Sequence, residues 1–277
     1  MIRKNTITIL ILLTTSLCFG QSTEKDESKK WKIEAGYQNF RMLDKNTSPL
    51  IYVSNNACLD FQFQKITPQK LWSIETSLSV GSNQSKRLGQ REAVVDGHTS
   101  ITGNADSSVY VINPAISFVQ AGFVYSYLWK LNRNKLPIFI GGQAENNFYY
   151  SGLGADTWFF NQLSISPVCR MILFDNQKSK IETEIDFPIF SYLIRQPYTL
   201  DPSLPVNSYF QAYLKTGSHI SSLTDFQKIN FKLNYYYHIC ENKTIGLSIK
   251  FFWMNYGNIS DRNLKAYSNS LSITYLF

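Results

Sequence analysis

The stretch 226-FQKINFKLNYYYHI-239 alternates from end to end. Ile229, Phe231, Leu233, Tyr235, Tyr237 and Ile239 fall on one parity. Lys228, Asn230, Lys232, Asn234, Tyr236 and His238 fall on the other. Successive side chains of a strand point to opposite faces, so this stretch specifies a strand with one apolar face and one polar, charged face. A single strand of this kind suits a soluble sandwich as well as a membrane wall. Its recurrence along the chain decides between them.

Upstream, Trp31, Ile33, Ala35 and Tyr37 oppose Lys32, Glu34, Gly36 and Gln38. A second strand over 50–65 sets Val53, Ala57, Leu59, Phe61 and Phe63 against Ser54, Asn56, Asp60, Gln62 and Gln64. A third over 71–81 sets Trp72, Ile74, Leu78 and Val80 against Ser73, Glu75, Ser77 and Ser79. A fourth reaches Leu131, and a fifth over 136–150 places Gln143, Glu145 and Asn147 on its polar side. The sixth carries Arg170 on the polar parity and Pro167 within it; proline cannot donate to a ladder, which predicts a bulge there. The seventh sets Ile181, Ile185, Phe187 and Ile189 against Glu182, Glu184 and Asp186. After the eighth, 226–239, a ninth runs over 245–253 and a tenth closes the chain with Leu271, Ile273, Tyr275 and Phe277 on one parity.

The connections alternate in length. Short turns fall at 67–70, 132–135, 175–179 and 240–243; longer loops fall at 44–49, 82–108, 151–157, 195–223 and 257–265, with a short extension expected within 208–214. An even number of strands with short turns at one end and long loops at the other is the pattern of a membrane-spanning antiparallel up-and-down β-barrel. A soluble sandwich has no reason to place every long loop at alternate connections. In lipid each backbone polar group needs an internal partner, which forces the sheet to close. Aromatic residues bunch toward strand ends (Tyr125, Tyr127, Trp129; Tyr149, Tyr150; Tyr235, Tyr237), where amphipathic rings suit the membrane interface.

Composition agrees. The 277 residues are 44% hydrophobic and 15% aromatic but only 17% charged. No apolar run reaches the roughly 18 residues of a spanning helix, so residence in a membrane must be by strands. Arg3 and Lys4, the apolar run from Ile7 to Leu13, and Cys18-Phe19-Gly20 read as a secretory signal peptide over 1–20. Polar, aperiodic 21–30 reads as a flexible leader, which leaves 31–277 for the barrel. Removing Arg3 and Lys4 lowers the formal charge from +7 to +5, a mild excess that calls for no nucleic acid. Cys58, Cys169 and Cys240 are odd in number and widely spaced, neither a disulfide framework nor a metal site.

The terminal Phe277, preceded at alternate positions by Tyr275, Ile273 and Leu271, resembles the C-terminal signature of bacterial outer-membrane β-barrel proteins. That resemblance implies residence in the outer membrane among phospholipid and lipopolysaccharide, and recognition of the last strand by the barrel-assembly machinery. The signal peptide ending Phe-Gly-Gln looks like those of Bacteroidota.

With the apolar parity toward lipid, the lumen receives a charge network of Arg170, Glu182, Glu184, Asp186, Lys228, Lys232 and Lys250, arranged positive, negative, positive on neighbouring strands. Eight strands are filled by side chains and sixteen leave a channel, so ten imply a largely filled lumen. The function read from this is non-enzymatic: binding a surface ligand or passing a small solute, with no cofactor and no metal. Clustered Lys86, Arg87 and Arg91 in the first long loop suit contact with lipopolysaccharide phosphates or an acidic ligand. The competing reading is an enzyme at the extracellular rim, an omptin-like protease or a lipid A-modifying hydrolase or acyltransferase, with His219, Ser222 and Asp225 as acid–base–nucleophile candidates. The paired Asp-Asp and Asp-His motifs of omptins are absent from the sequence.

Overall fold

The computed structural model describes residues 28–45, 50–85, 87, 91–96, 107–112, 115–131, 137–153, 156–195, 217–240, 243–257 and 263–277. Its strands are β1 (Ser28–Asp44), β2 (Ile51–Ile66), β3 (Lys70–Ser85), β4 (Arg91–Asp96), β5 (Ser107–Ile112), β6 (Ile116–Leu131), β7 (Ile138–Leu153), β8 (Asp156–Asp175), β9 (Ser179–Asp186), β10 (Phe190–Arg195), β11 (Ser218–Ser222), β12 (Phe226–Cys240), β13 (Lys243–Tyr256) and β14 (Leu264–Leu276). No helix among the described residues is long and apolar enough to cross a membrane. The signal peptide, most of the leader and the extension expected at 208–214 lie outside the described residues.

β4 and β5 pair with each other as a hairpin inside the first long loop. The remaining twelve strands form one antiparallel sheet, ordered β11-β10-β8-β7-β6-β3-β2-β1-β14-β13-β12-β9, and β9 pairs back onto β8 to close it. β9 and β10 are two halves of one wall strand, β11 and β12 of the next. The wall therefore has ten strands, as the sequence predicts. The first strand begins earlier than its alternation suggests: the ladder already pairs Ser28 with Ile66. Short connections are locked by their own side chains. Asn176 Oδ1 accepts from the backbone N–H of Lys178 (2.9 Å) and Ser179 (2.6 Å), an Asx turn that sends the chain straight back.

The split in the seventh and eighth wall strands is coordinated. Lumen-facing residues are even-numbered in β9 and odd-numbered in β10, and the same change separates β12 from β11. The β9–β12 ladder ends at Asp186–Asn230, and the β10–β11 ladder starts at Phe190–Ser222. The bulge expected at Pro167 is not there: β7 and β8 keep register through Gly142–Pro167, and the irregularity in β8 lies at Ile172/Phe174. Ile189 N donates to Ile165 O at 2.9 Å, so residues 165 and 167 direct their backbone groups toward the seventh wall strand. Beside Pro167 that strand is interrupted at 187–189. The missing N–H therefore falls where no ladder partner is waiting.

The outward face is apolar where lipid must cover it. Ile273 is 61% exposed, Ile165 58% and Leu271 55%, while the inward Glu34 is 1% and Gln162 0% exposed. Apolar surface left in water costs about 25 cal/mol per Å², so this pattern is stable only with hydrocarbon around the wall. The strands outrun that hydrocarbon. A 16-residue strand such as β2, at roughly 3.3 Å per residue and a tilt of about 40°, rises about 40 Å against an apolar band of about 25 Å.

Toward the long-loop end the two faces exchange character. On β1 the outward series Trp31, Ile33, Ala35, Tyr37 continues as Asn39 and Arg41, and the inward series Lys32, Glu34, Gln38 continues as Phe40 and Met42. Asn39 bonds Asn55 (2.8 Å) and Asn161 bonds Asn146 (2.8 Å) on this outer surface. Inside lies a core of Phe40, Phe118, Phe160, Leu193, Met254 and Leu264, each buried to 1% or less, with Trp158, Phe226, Phe252 and Tyr256 around it. Within lipid the protein is polar inside and apolar outside; beyond lipid it reverts to an ordinary hydrophobic core. Tyr149, expected at the membrane interface, belongs to this core and faces inward at 1% exposure.

Candidate functional site

The lumen is stacked in layers. At the short-turn end Leu71, Leu128, Phe139 and Val168 pack together, with Ile66 and Ile172 against them. Above this lies an ionic layer. Lys250 Nζ sits 2.5 Å from Glu34 Oε2, 2.5 Å from Asp60 Oδ2 and 3.4 Å from Glu75 Oε1. Lys232 Nζ meets Glu75 at 2.9 Å and Glu184 at 3.6 Å, and Arg170 Nε donates to Glu184 at 2.6 Å. Lys180 pairs with Glu182 at 2.7 Å, and Tyr236 Oη donates to the same carboxylate at 2.9 Å.

These contacts cross the barrel as well as line it. β3 and β12 are five places apart in the ten-strand wall, so the Lys232–Glu75 pair spans the lumen. Lys228 on β12 donates to Glu145 on β7 at 2.8 Å, and Glu145 also receives Gln162 at 2.7 Å and Asn147 at 3.2 Å. Gln38 on β1 reaches Gln120 on β6 at 3.2 Å. Long lysine stems suit this work because they span the distance and keep three donors at the tip. Each buried charge must meet a partner, since an isolated one costs several kcal/mol.

Between the ionic layer and the outer core lies a cavity of about 120 Å³, lined by Glu145, Asp186, Lys228 and Lys232 below and by Tyr149 and Phe252 above. At roughly 30 Å³ per molecule this is space for a few waters. Asp186 accepts one hydrogen bond, from Asn230 Nδ2 at 2.7 Å, and joins no ion pair among the described residues. At the top of the core, Arg195 of β10 pairs with Asp44 of β1, and Trp158 Nε1 donates to the same carboxylate at 2.7 Å.

The seven charged residues read from the sequence as a lumen network all face the lumen. Arg170, Glu184, Lys232 and Lys250 are joined through Glu75. Glu182 is held by Lys180, Lys228 by Glu145, and Asp186 only by Asn230. The candidate catalytic set is not drawn together. His219 and Ser222 lie on opposite faces of β11, about 10 Å apart along the strand, and His219 stands opposite Leu193. Ser222 Oγ meets Thr224 Oγ1 at 2.9 Å, and Asp225 lies in the following turn. Of the basic loop set, Arg87 is exposed, Arg91 opens β4, and Lys86 lies outside the described residues. Cys58 and Cys169 are free thiols.

Sequence reasoning missed the outer core and the Asp44–Arg195–Trp158 link. Asp44 and Arg195 open two of the predicted loops, because the outward parity stops being apolar before them. The exchange of faces is written in Gln38-Asn39-Phe40-Arg41-Met42, where the apolar residues move to the other parity.

No protein-family model matches the chain, and no curated protein matches it. Among solved structures, the outer membrane protease OmpT from Escherichia coli is similar, with a TM-score of 0.52 at 9% identity over 94% of this chain and 99% of that one. Neisserial surface protein A gives a TM-score of 0.36 at 7% identity over 91% and 98%. An outer membrane channel from Pseudomonas putida F1 gives 0.39 at 8% identity over 93% and 100%. At such identities likeness speaks for fold alone, and that to OmpT agrees with the closed ten-strand wall. This chain has the fold of bacterial outer-membrane β-barrels.

Proposed function

We propose that the barrel is a non-enzymatic, non-conducting protein whose work is done at its outer face, where its core-filled head and loops bind a ligand at the cell surface. The observation that carries this reading is the stacking of three filled layers across one lumen. An apolar layer, cross-barrel ion pairs and an aromatic core stand in the lumen, with a cavity of about 120 Å³ between them among the described residues. Passage of even a small solute would have to get through each of these layers in turn. The ligand chemistry best suited to the 82–108 loop is anionic, because Lys86, Arg87 and Arg91 lie close together in its sequence, and contact with lipopolysaccharide phosphate or another acidic group calls for clustered basic residues. In the same reading, the last strand ending on Phe277 is what the barrel-assembly machinery grips.

Planar-bilayer recording of the refolded protein tests the closed lumen: no steady openings are expected, and large, long-lived conductance overturns the proposal. Lipopolysaccharide retention by Lys86→Gln/Arg87→Gln/Arg91→Gln tests the loop. Retention equal to that of the unaltered protein removes this cluster as the contact.

A further inference from the structure

The short-turn end of the barrel, its periplasmic end, carries charge of nearly one sign. Lys29, Lys70, Lys130, Lys178 and Lys243 are exposed there, Lys30 and Lys65 are half-buried, and Asp175 is the one acid among the described residues of these turns. None of the five exposed lysines joins an ion pair among the described residues. Seven cations against one anion give this end +6, nearly the +7 of the whole chain. The neighbouring sequence adds Lys25, Arg133 and Lys135 against Glu24, Asp26, Glu27 and Glu241, which lowers the excess to +5 without changing its sign. The opposite end mixes signs: Lys86, Arg87 and Arg91 are followed closely by Glu92, Asp96 and Asp106.

Beside Lys29, Lys65, Lys70 and Lys130 runs an arc of outward aromatic rings. Trp31 meets Phe63 at 4.8 Å between centroids, Phe63 meets Trp72 at 5.3 Å, and Tyr127 meets Trp129 at 4.8 Å. Trp72 stands opposite Tyr127 in the β3–β6 ladder, so the arc is continuous across four strands. Rings of this kind settle at headgroup depth. Lys29 and Lys70 share the outward parity of Trp31 and Trp72, two residues away on the same strands, and Lys130 follows Trp129 at the strand end. Stems of this length let their ammonium groups reach headgroup depth.

We propose that this rim is a binding surface for anionic phospholipids of the periplasm-facing leaflet, with headgroup phosphates on the lysines and acyl chains along the aromatic arc. The occupant is lipid and not an acidic protein because the charge adjoins a ring belt that hydrocarbon already covers. A compact ammonium reads phosphate as a point charge and selects lipid class without selecting one headgroup shape.

Tryptophan fluorescence gives the test, since Trp31, Trp72 and Trp129, three of the five tryptophans, report on this arc. The protein is reconstituted in phosphatidylcholine vesicles containing brominated phosphatidylglycerol or brominated phosphatidylcholine. Quenching should show a severalfold preference for the anionic lipid that fades at high salt. Lys29→Gln/Lys70→Gln/Lys130→Gln/Lys178→Gln/Lys243→Gln should lose the preference, while Arg41→Gln/Lys265→Gln at the other end should keep it. Equal quenching by both lipids in the unaltered protein overturns the proposal, whatever the variants do. Loss of preference in the Arg41/Lys265 variant overturns the assignment to this rim, as does retention of soluble polyglutamate without lipid preference.

Discussion

Trp31 and Phe277 exchange two main-chain hydrogen bonds, Trp31 N to Phe277 O at 2.8 Å and Phe277 N to Trp31 O at 3.0 Å. The last residue of the chain is thereby paired with the first wall strand, and the β1–β14 ladder runs on from Lys32–Leu276 to Asp44–Leu264. A sheet in lipid cannot leave an edge unpaired. The seam closes the wall by joining its first and tenth strands. Gly36 permits a close approach there: a Cβ at this position would run into the Leu271 carbonyl and Ser272 of β14.

Removing Phe277 should weaken the seam by about 2 kcal/mol, two bonds at roughly 1 kcal/mol net each. The aromatic stack with Tyr275, 5.6 Å between centroids, is lost with it. The urea midpoint of unfolding in detergent micelles, followed by fluorescence, should fall accordingly. A midpoint equal to that of the full chain shows that the wall does not depend on this pairing.

Lys228 and Glu145 are each 3% exposed and 2.8 Å apart, so each is expensive without the other. Lys228→Met should cost about 3–5 kcal/mol, because it strands a buried carboxylate. Adding Glu145→Gln should recover more than half of that loss, since the amide keeps a hydrogen-bonding role toward Gln162 without the charge. A double variant as unstable as the single one contradicts the view that the pair is present chiefly to satisfy itself.

The ten strands were legible because lipid enforces strict alternation: Ile229 to Ile239 and Leu271 to Phe277 carry the same pattern that the wall shows. The inward direction of Arg170, Glu182 and Lys228 followed from the same parity. Alternation says nothing, however, about which residues meet across a lumen, so the pairing of Lys232 with Glu75 and of Lys250 with Glu34 appears only in three dimensions. Pro167 predicts a bulge in its own strand, whereas the interruption lies at 187–189 on the neighbouring one, because a proline marks a missing donor and not which of two neighbours has adapted to it. The outer core was hidden because Phe40, Phe118 and Phe160 sit on the parity that had been polar a few residues earlier.

Phe160, fully buried in that core, packs against Tyr149 with ring centroids 5.7 Å apart. Phe160→Ala should cost about 3–5 kcal/mol, the price of a large buried void. It should also leave the protein electrically silent, since the Lys232–Glu75 layer beneath it is intact. If steady conductance appears in this variant alone, the aromatic core is the barrier and the ionic layer is permeable.

The exchange of faces along β1 sets the depth at which lipid ends. Single cysteines replacing Tyr37 and Arg41, in a background with Cys58, Cys169 and Cys240 changed to serine, place a fluorescent label four residues apart on one outward face. That separation is about 13 Å along the strand, enough to cross from hydrocarbon to water. The label at 37 should be quenched by brominated acyl chains and ignore aqueous iodide; the label at 41 should do the reverse. The same behaviour at both positions would mean that hydrocarbon continues past Asn39, and the inward core of Phe40 and Met42 would then need an explanation other than a head standing clear of the membrane.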